Sequence, residues 1–248
     1  MSVLALAGNR ALALDVSKAR SYYKRALQFA SSDDPQRPAI ILGLAKALLS
    51  LGEFAEAETS FQEALNQSLA ANDLLGAGEA LCGLGDLRWL QGKSSPEVIA
   101  PLEQAVNLLQ QNPGRQLALA YVGLGSNANL RGDFREGLTW CDKALSLAGE
   151  FDCQEVVVEA LRFRGLSRFE LGDADGIEDL KESVRLGLEL GLGRQTATAY
   201  ANLCHLTRVL SLPRDCVDLA TEALTFARSH ALVDRLSLIH ISEPTRPY

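Results

Sequence analysis

Aromatic residues make up only 6% of the 248 positions, and β-branched residues are sparse where Leu and Ala dominate. A chain with so few strand-favouring side chains is not built on a sheet, and its composition predicts a mostly helical fold. Proline is scarce at 8 residues, and the 20 glycines fall short of a fibrous or low-complexity chain. With 47% hydrophobic residues the chain has enough apolar surface to bury a core. No apolar run approaches the roughly 18 to 20 residues needed to cross a bilayer, and no basic segment precedes an apolar stretch with a cleavage site. Dense Lys/Arg blocks are also missing. With 31 acidic against 24 basic residues the net charge is −7. A duplex-binding face needs several phosphate-neutralising cations together, so direct nucleic-acid binding is not expected. The five cysteines (Cys82, Cys141, Cys153, Cys204 and Cys216) form no CxxC pair, and their odd number makes a poor disulfide framework. The expectation is a protein of the reducing cytoplasm, without membrane association.

What the sequence has in abundance is periodicity. The pairs Leu44-Ala45, Leu84-Gly85, Leu124-Gly125, Arg164-Gly165 and Leu203-Cys204 lie 40, 40, 40 and 39 residues apart, and Leu6-Ala7 stands 38 residues before Leu44. A fixed period of this length signals stacked supersecondary units, and six copies fit the chain. Eight residues after the first pair member comes a glycine (Gly52, Gly92, Gly132, Gly172). Glycine there suits the left-handed residue that ends one helix and opens a tight connection to the next. A second amphipathic stretch follows, with small, bulky and small residues at spacings of four and three: Ala19, Tyr23, Ala26; Ala57, Phe61, Ala64; Gly137, Cys141, Ala144; Cys216, Ala220, Ala223. Those spacings place the three on one helix face, where small residues allow close approach and large ones fill the grooves. Polar breaks at 31–35, 71–73, 112–115 and 149–152 separate the units. Asp34 before Pro35 reads as an N-cap followed by proline at the first helical position.

Candidate chemistry dissolves into this register. Gly92-Lys93-Ser94 ends like a phosphate-binding loop, but the required earlier glycine would fall at Leu87, no strand precedes it, and Gly92 is a turn glycine. Gly123-Leu-Gly125-Ser-Asn-Ala128 matches a dinucleotide string, yet it lies inside a predicted helix. Cys204, His205 and Cys216 could supply three zinc ligands. Their spacing matches no common finger, a fourth ligand is missing, and both cysteines occupy small core positions. No Ser/His/Asp or Cys/His set has a recognisable setting. No catalytic residue, metal or cofactor is expected, and the segment is read as non-enzymatic.

The unit Leu-Gly…Gly-Asp…Ala-x3-Phe-x2-Ala resembles the tetratricopeptide repeat over about residues 3 to 230. The period is nearer 40 than 34. Tyr121 and Tyr200 occupy the first aromatic position, where the second unit has Ile41. The resemblance implies an all-α, right-handed α-solenoid of about six helix-turn-helix repeats. Approximate units are 1–34, 35–73, 74–113, 114–152, 153–193 and 194–235. It also implies that the first helix of each pair lines a concave groove, with inward positions at Lys46, Asp86, Trp89, Asn129, Arg162, Phe169, His205 and Arg208. Exposed aromatics with arginine are common binding anchors. The longer period is similar to repeat regions of large bacterial signalling proteins. There, repeats follow an ATPase domain in nucleotide-cyclase-linked regulators or maltose-activator-like transcription factors. The expected partner is a protein or peptide, with an ATPase, cyclase or DNA-binding domain attached outside this chain. The expected role is a sensory or regulatory segment in signal transduction, and the alternative is the regulatory C-terminal part of a cyclase or ATPase-linked transcription regulator.

Residues 236–248 (LSLIHISEPTRPY) break the period and resemble the translation of sequencing-adapter read-through. They are expected to be a foreign or disordered tail, and the natural chain is expected to continue beyond about Arg235.

Overall fold

The computed structural model describes residues 3–12, 15–210 and 213–230, with residues 213–216 in backbone only. The suspect tail and the side chain of Cys216 lie outside the described residues. Among those residues the chain forms α-helices and no strand: α1 (Val3–Leu12), α2 (Val16–Phe29), α3 (Arg37–Ser50), α4 (Phe54–Ala70), α5 (Leu74–Leu90), α6 (Ser95–Leu109), α7 (Arg115–Arg131), α8 (Phe134–Glu150), α9 (Gln154–Glu170), α10 (Gly176–Glu189), α11 (Gly193–Val209) and α12 (Pro213–Ser229). They form two compact units, residues 1–123 and 124–248. In the first, each helix packs on the next from α1 to α6, and α3 also touches α1 and α5. In the second, α8 through α12 pack in the same sequential way, and α9 touches α11.

First and second helices of a pair differ in burial. Helix α3 buries Ile40, Ile41, Leu42, Leu44, Ala45, Ala47 and Leu48, which point to every side of the helix. Helix α4 buries Ala57, Phe61, Ala64, Leu65 and Ser68, a single stripe. A helix apolar all round must be covered on several faces, whereas an amphipathic one has one face in water. The first helices α3, α5, α9 and α11 are therefore interior and expose only a strip. The predicted triplets meet the core as expected: Ala19, Tyr23 and Ala26 are buried, as are Ala57, Phe61 and Ala64.

The turn glycines adopt the expected conformation. Gly52, Gly92, Gly132 and Gly172 have φ between 68° and 88°. At the first, the Glu53 amide donates to the Leu48 carbonyl (3.0 Å) and the Gly52 amide to Leu49 (3.1 Å), which closes the helix by a Schellman motif. The same pattern recurs where no glycine stands. Asn72 (φ 55°) and Asp152 (φ 51°) end α4 and α8, with Asp73 N–H donating to Ser68 O (2.8 Å) and Cys153 N–H to Ala148 O (2.9 Å). A side chain in the left-handed region costs on the order of 1 kcal/mol, less for Asn and Asp. Asn72→Gly together with Asp152→Gly is expected to raise the thermal midpoint by a few degrees. Differential scanning calorimetry checks this, and an unchanged or lowered midpoint would contradict it.

The start of α3 departs from expectation. Asp34 does not cap the helix; its carboxylate accepts from the Gln36 amide (2.8 Å), its carbonyl from the Arg37 amide (2.9 Å), and the helix begins at Arg37. Pro38 sits in the first turn, where a missing N–H costs nothing, so the turn at Asp34-Pro35 precedes the helix instead of opening it.

Candidate functional site

In the first unit the strip left open on the first helices carries three of the predicted groove residues. Lys46 on α3 donates from Nζ to Glu79 Oε1 on α5 at 2.6 Å, and Arg115 Nη1 approaches the same oxygen at 3.8 Å. Asp86 and Trp89 follow Glu79 on α5 at helical spacing, and both are exposed; half of the Trp89 surface (50%) is open to solvent. Cys82 lies between Glu79 and Asp86. Burial pushes its thiol pKa upward, the Asp86 and Glu79 carboxylates push it further, and Lys46 and Arg115 oppose them. A thiol held protonated in this way is no nucleophile.

The second unit treats its predicted residues differently. Asn129 at the end of α7 donates to the carbonyls of Gly125 (3.0 Å) and Phe163 (3.4 Å) and accepts from the Ser167 hydroxyl (3.0 Å). Its amide is spent on joining α7 to α9, so it is not a free groove contact. Phe169 packs against the apolar cluster of α10 to α12. Both are expected on the concave face; here Asn129 bonds across to α9 and Phe169 packs on the neighbouring cluster. Arg162 is bound by Glu159 (Nε to Oε2, 3.2 Å) and lies over the Phe163 ring at 3.9 Å. His205 and Arg208 are exposed on α11, with Arg208 Nη2 3.3 Å from His205 Nδ1.

Glu79, Cys82 and Glu159 belong to the strip but were not singled out by residue type. The 40-residue interval relates Glu79 to Ala39 and, doubled, to Glu159, a signal present in the period itself. A second omission is the cluster around Asp179, nearly buried on α10. It accepts two bonds from Arg164 (Nε and Nη2, both 2.8 Å), while Arg168 stands at 3.3 Å. Bidentate arginine–carboxylate geometry of this kind fixes register between helices. Arg164 in the place where other units have Leu marks it.

The rejected motifs have structural duties. Ser94, after the left-handed Gly92, opens α6 with its N–H donating to Glu97 Oε2 at 3.1 Å and its hydroxyl at 2.5 Å, which holds the Glu97 carboxyl below its ordinary value. At Gly125, an added Cβ would stand 2.8 Å from Cys141 Sγ, so close helix packing explains that glycine. Cys204 is fully buried while its neighbour His205 faces solvent, so the two do not converge on one ion. Among the described residues no group of three or more His, Cys, Asp or Glu could hold a metal, and no helix is long and apolar enough to cross a membrane.

Residues 13–73 match the family model of the tetratricopeptide repeat. No curated protein matches the sequence. Several solved structures share the fold. A Rap protein in complex with competence and sporulation factor superposes with a TM-score of 0.70 at 13% identity, covering 96% of this chain and 79% of that one. The STAND signal-transduction ATPase with a tetratricopeptide repeat sensor from Pyrococcus horikoshii gives 0.61 at 14% identity, covering 91% and 36%. BtubC from P. vanneervenii gives 0.58 at 17% identity, covering 100% and 97%. The chain thus carries a tetratricopeptide repeat at residues 13–73 and has an all-α, TPR-like solenoid fold of stacked helix pairs.

Proposed function

We propose that the chain is a non-catalytic scaffold that binds a protein or peptide along the open strip of its first helices. The observation that carries this reading is Trp89, half exposed on an otherwise interior helix and flanked by charge at Asp86, Glu79 and Lys46. A large aromatic surface left in water on a rigid helix is what a binding anchor requires: much area to bury and little side-chain entropy to lose. The likeness to a Rap protein solved with competence and sporulation factor supports a protein or peptide ligand. Likeness to a STAND ATPase carrying such repeats as its sensor supports a role as the sensory or regulatory segment of a larger signal-transduction protein. Occupancy of the strip would then be passed to an attached ATPase, cyclase or DNA-binding domain.

A phage-displayed dodecapeptide library selected on the chain supplies ligands, and Trp89→Ala tests the strip. Selected peptides are expected to lose at least tenfold in affinity by titration calorimetry, while the thermal midpoint moves by no more than about 2 °C, since an exposed side chain contributes little to stability. Peptides that bind the variant as well as the parent would place the binding surface elsewhere. A large fall in midpoint would make Trp89 a packing residue.

A further inference from the structure

The chain has two tryptophans, and among the described residues only one has a cation on its ring. On α8 the Trp140 indole donates from Nε1 to Glu136 Oε1 (3.1 Å), one turn earlier, and Lys143 Nζ lies 4.2 Å from the centre of the ring. The electron-rich ring face attracts the ammonium, and the neighbouring carboxylate favours the same charge. On α5 Trp89 also follows a carboxylate by one turn, at Asp86, and both are exposed. Three residues on, where α8 has Lys143, α5 has already ended and the left-handed Gly92 stands. Among the described residues no cation lies over the Trp89 ring and nothing accepts from its indole N–H. Basic side chains close by in the fold are turned elsewhere: Lys46 is held by Glu79 (2.6 Å), and Arg88 donates to the Glu97 carbonyl of α6 (3.0 Å). Helix α5 packs on α3, and Arg115 of α7 reaches its Glu79, so the exposure of Trp89 does not come from where the sequence begins or stops.

We propose that Asp86 and Trp89 receive a lysine or arginine side chain of the bound protein or peptide, the cation lying over the indole face and bonded to the carboxylate. This rests on the reading of the strip as the binding surface and names the chemistry it selects. A lysine or arginine stem covers apolar surface while its head keeps its charge, so the open half of Trp89 is buried and Asp86 gains a partner. A purely apolar side chain would cover the ring and take water from Asp86 without replacing the lost hydrogen bonds. An acidic one would meet Asp86 with like charge. The Cys82 thiol, one turn before Asp86, senses the same field: Asp86 and Glu79 raise its pKa by more than Lys46 and Arg115 lower it.

Two phage-displayed dodecapeptide libraries are selected on the full chain, one fully random and one lacking Lys and Arg. The random library is expected to yield basic binders that lose at least tenfold with Trp89→Ala, and the other none that depends on Trp89. Synthetic binders with citrulline for arginine or norleucine for lysine are expected to bind about tenfold more weakly, the combined worth of an exposed cation–π contact and an exposed ion pair. Asp86→Asn is expected to weaken the basic peptides about fivefold and leave their neutral counterparts unchanged, a difference that a damaged fold would not produce. Asp86→Glu is expected to restore most of the loss. Trp89-dependent binders that keep their affinity when neutralised, or that arise equally from the library without Lys and Arg, overturn this inference and leave the strip standing as the binding surface. Absence of Trp89-dependent binders from both libraries overturns the strip itself, and the inference with it.

Discussion

Phe61→Ala is expected to destabilise the first unit by about 3 to 5 kcal/mol, the usual cost of deleting a fully buried aromatic ring. Phe61 is wholly inaccessible to solvent and lies against Gly83 of α5, where an added Cβ would stand 2.5 and 2.8 Å from the ring atoms Cζ and Cδ1. The ring and the missing side chain are thus two halves of one contact, and they make a double-mutant cycle informative. Gly83→Ala alone is expected to destabilise by overpacking. In the Phe61→Ala background the same change is expected to be neutral or stabilising, since its methyl group enters the cavity. Urea unfolding of the four proteins gives the coupling energy. Additive effects would mean that the two residues do not share the contact.

Gly165→Ala is expected to cost about 3 kcal/mol in the second unit, at the upper end for overpacking. The new Cβ would stand 2.6 Å from the carbonyl oxygen of Gly176, and Gly176 is equally tight against the backbone of α9, with its own notional Cβ 2.8 Å from the Phe169 nitrogen. A side chain can turn away from a clash and a backbone carbonyl cannot, so α9 and α10 must separate. Separation also pulls Arg164 from Asp179, whose two 2.8 Å bonds span these helices. For a chain of this length the midpoint is expected to fall by roughly 6 to 12 °C. Amide exchange should show faster opening of α9 and α10 than of α3 and α4. A shift below about 1 °C would show that the helices tolerate the wider spacing.

The two cases show what kind of feature was legible beforehand. Gly165 and Phe61 both stand in the repeat register, and the 40-residue interval identified them as a close-packing site and a groove filler. Asn129 and Phe169 stand in the same register as Trp89, and the interval could not separate them. Asn129 is consumed by bonds to α9 and Phe169 by the cluster under α10 to α12, while Trp89 remains half exposed. Positions equivalent along the chain meet different neighbours, because each pair of helices is covered by a different sequence.

By itself the sequence determined the helix pairs, their period, the left-handed glycines that close the first helices, and the small-bulky-small faces that meet the core. These are local properties: a residue's backbone preference and the 3.6-residue repeat act within a turn or two of helix. Only the tertiary structure decided that Asn72 and Asp152 would take a glycine's conformation, that Asp34 would make a turn before α3 and not cap it, and that Arg164 would be bound by Asp179. It also decided which strip of each first helix stays in water. Those outcomes depend on which distant side chain arrives at a position, and packing between helices, not propensity along one, makes that choice.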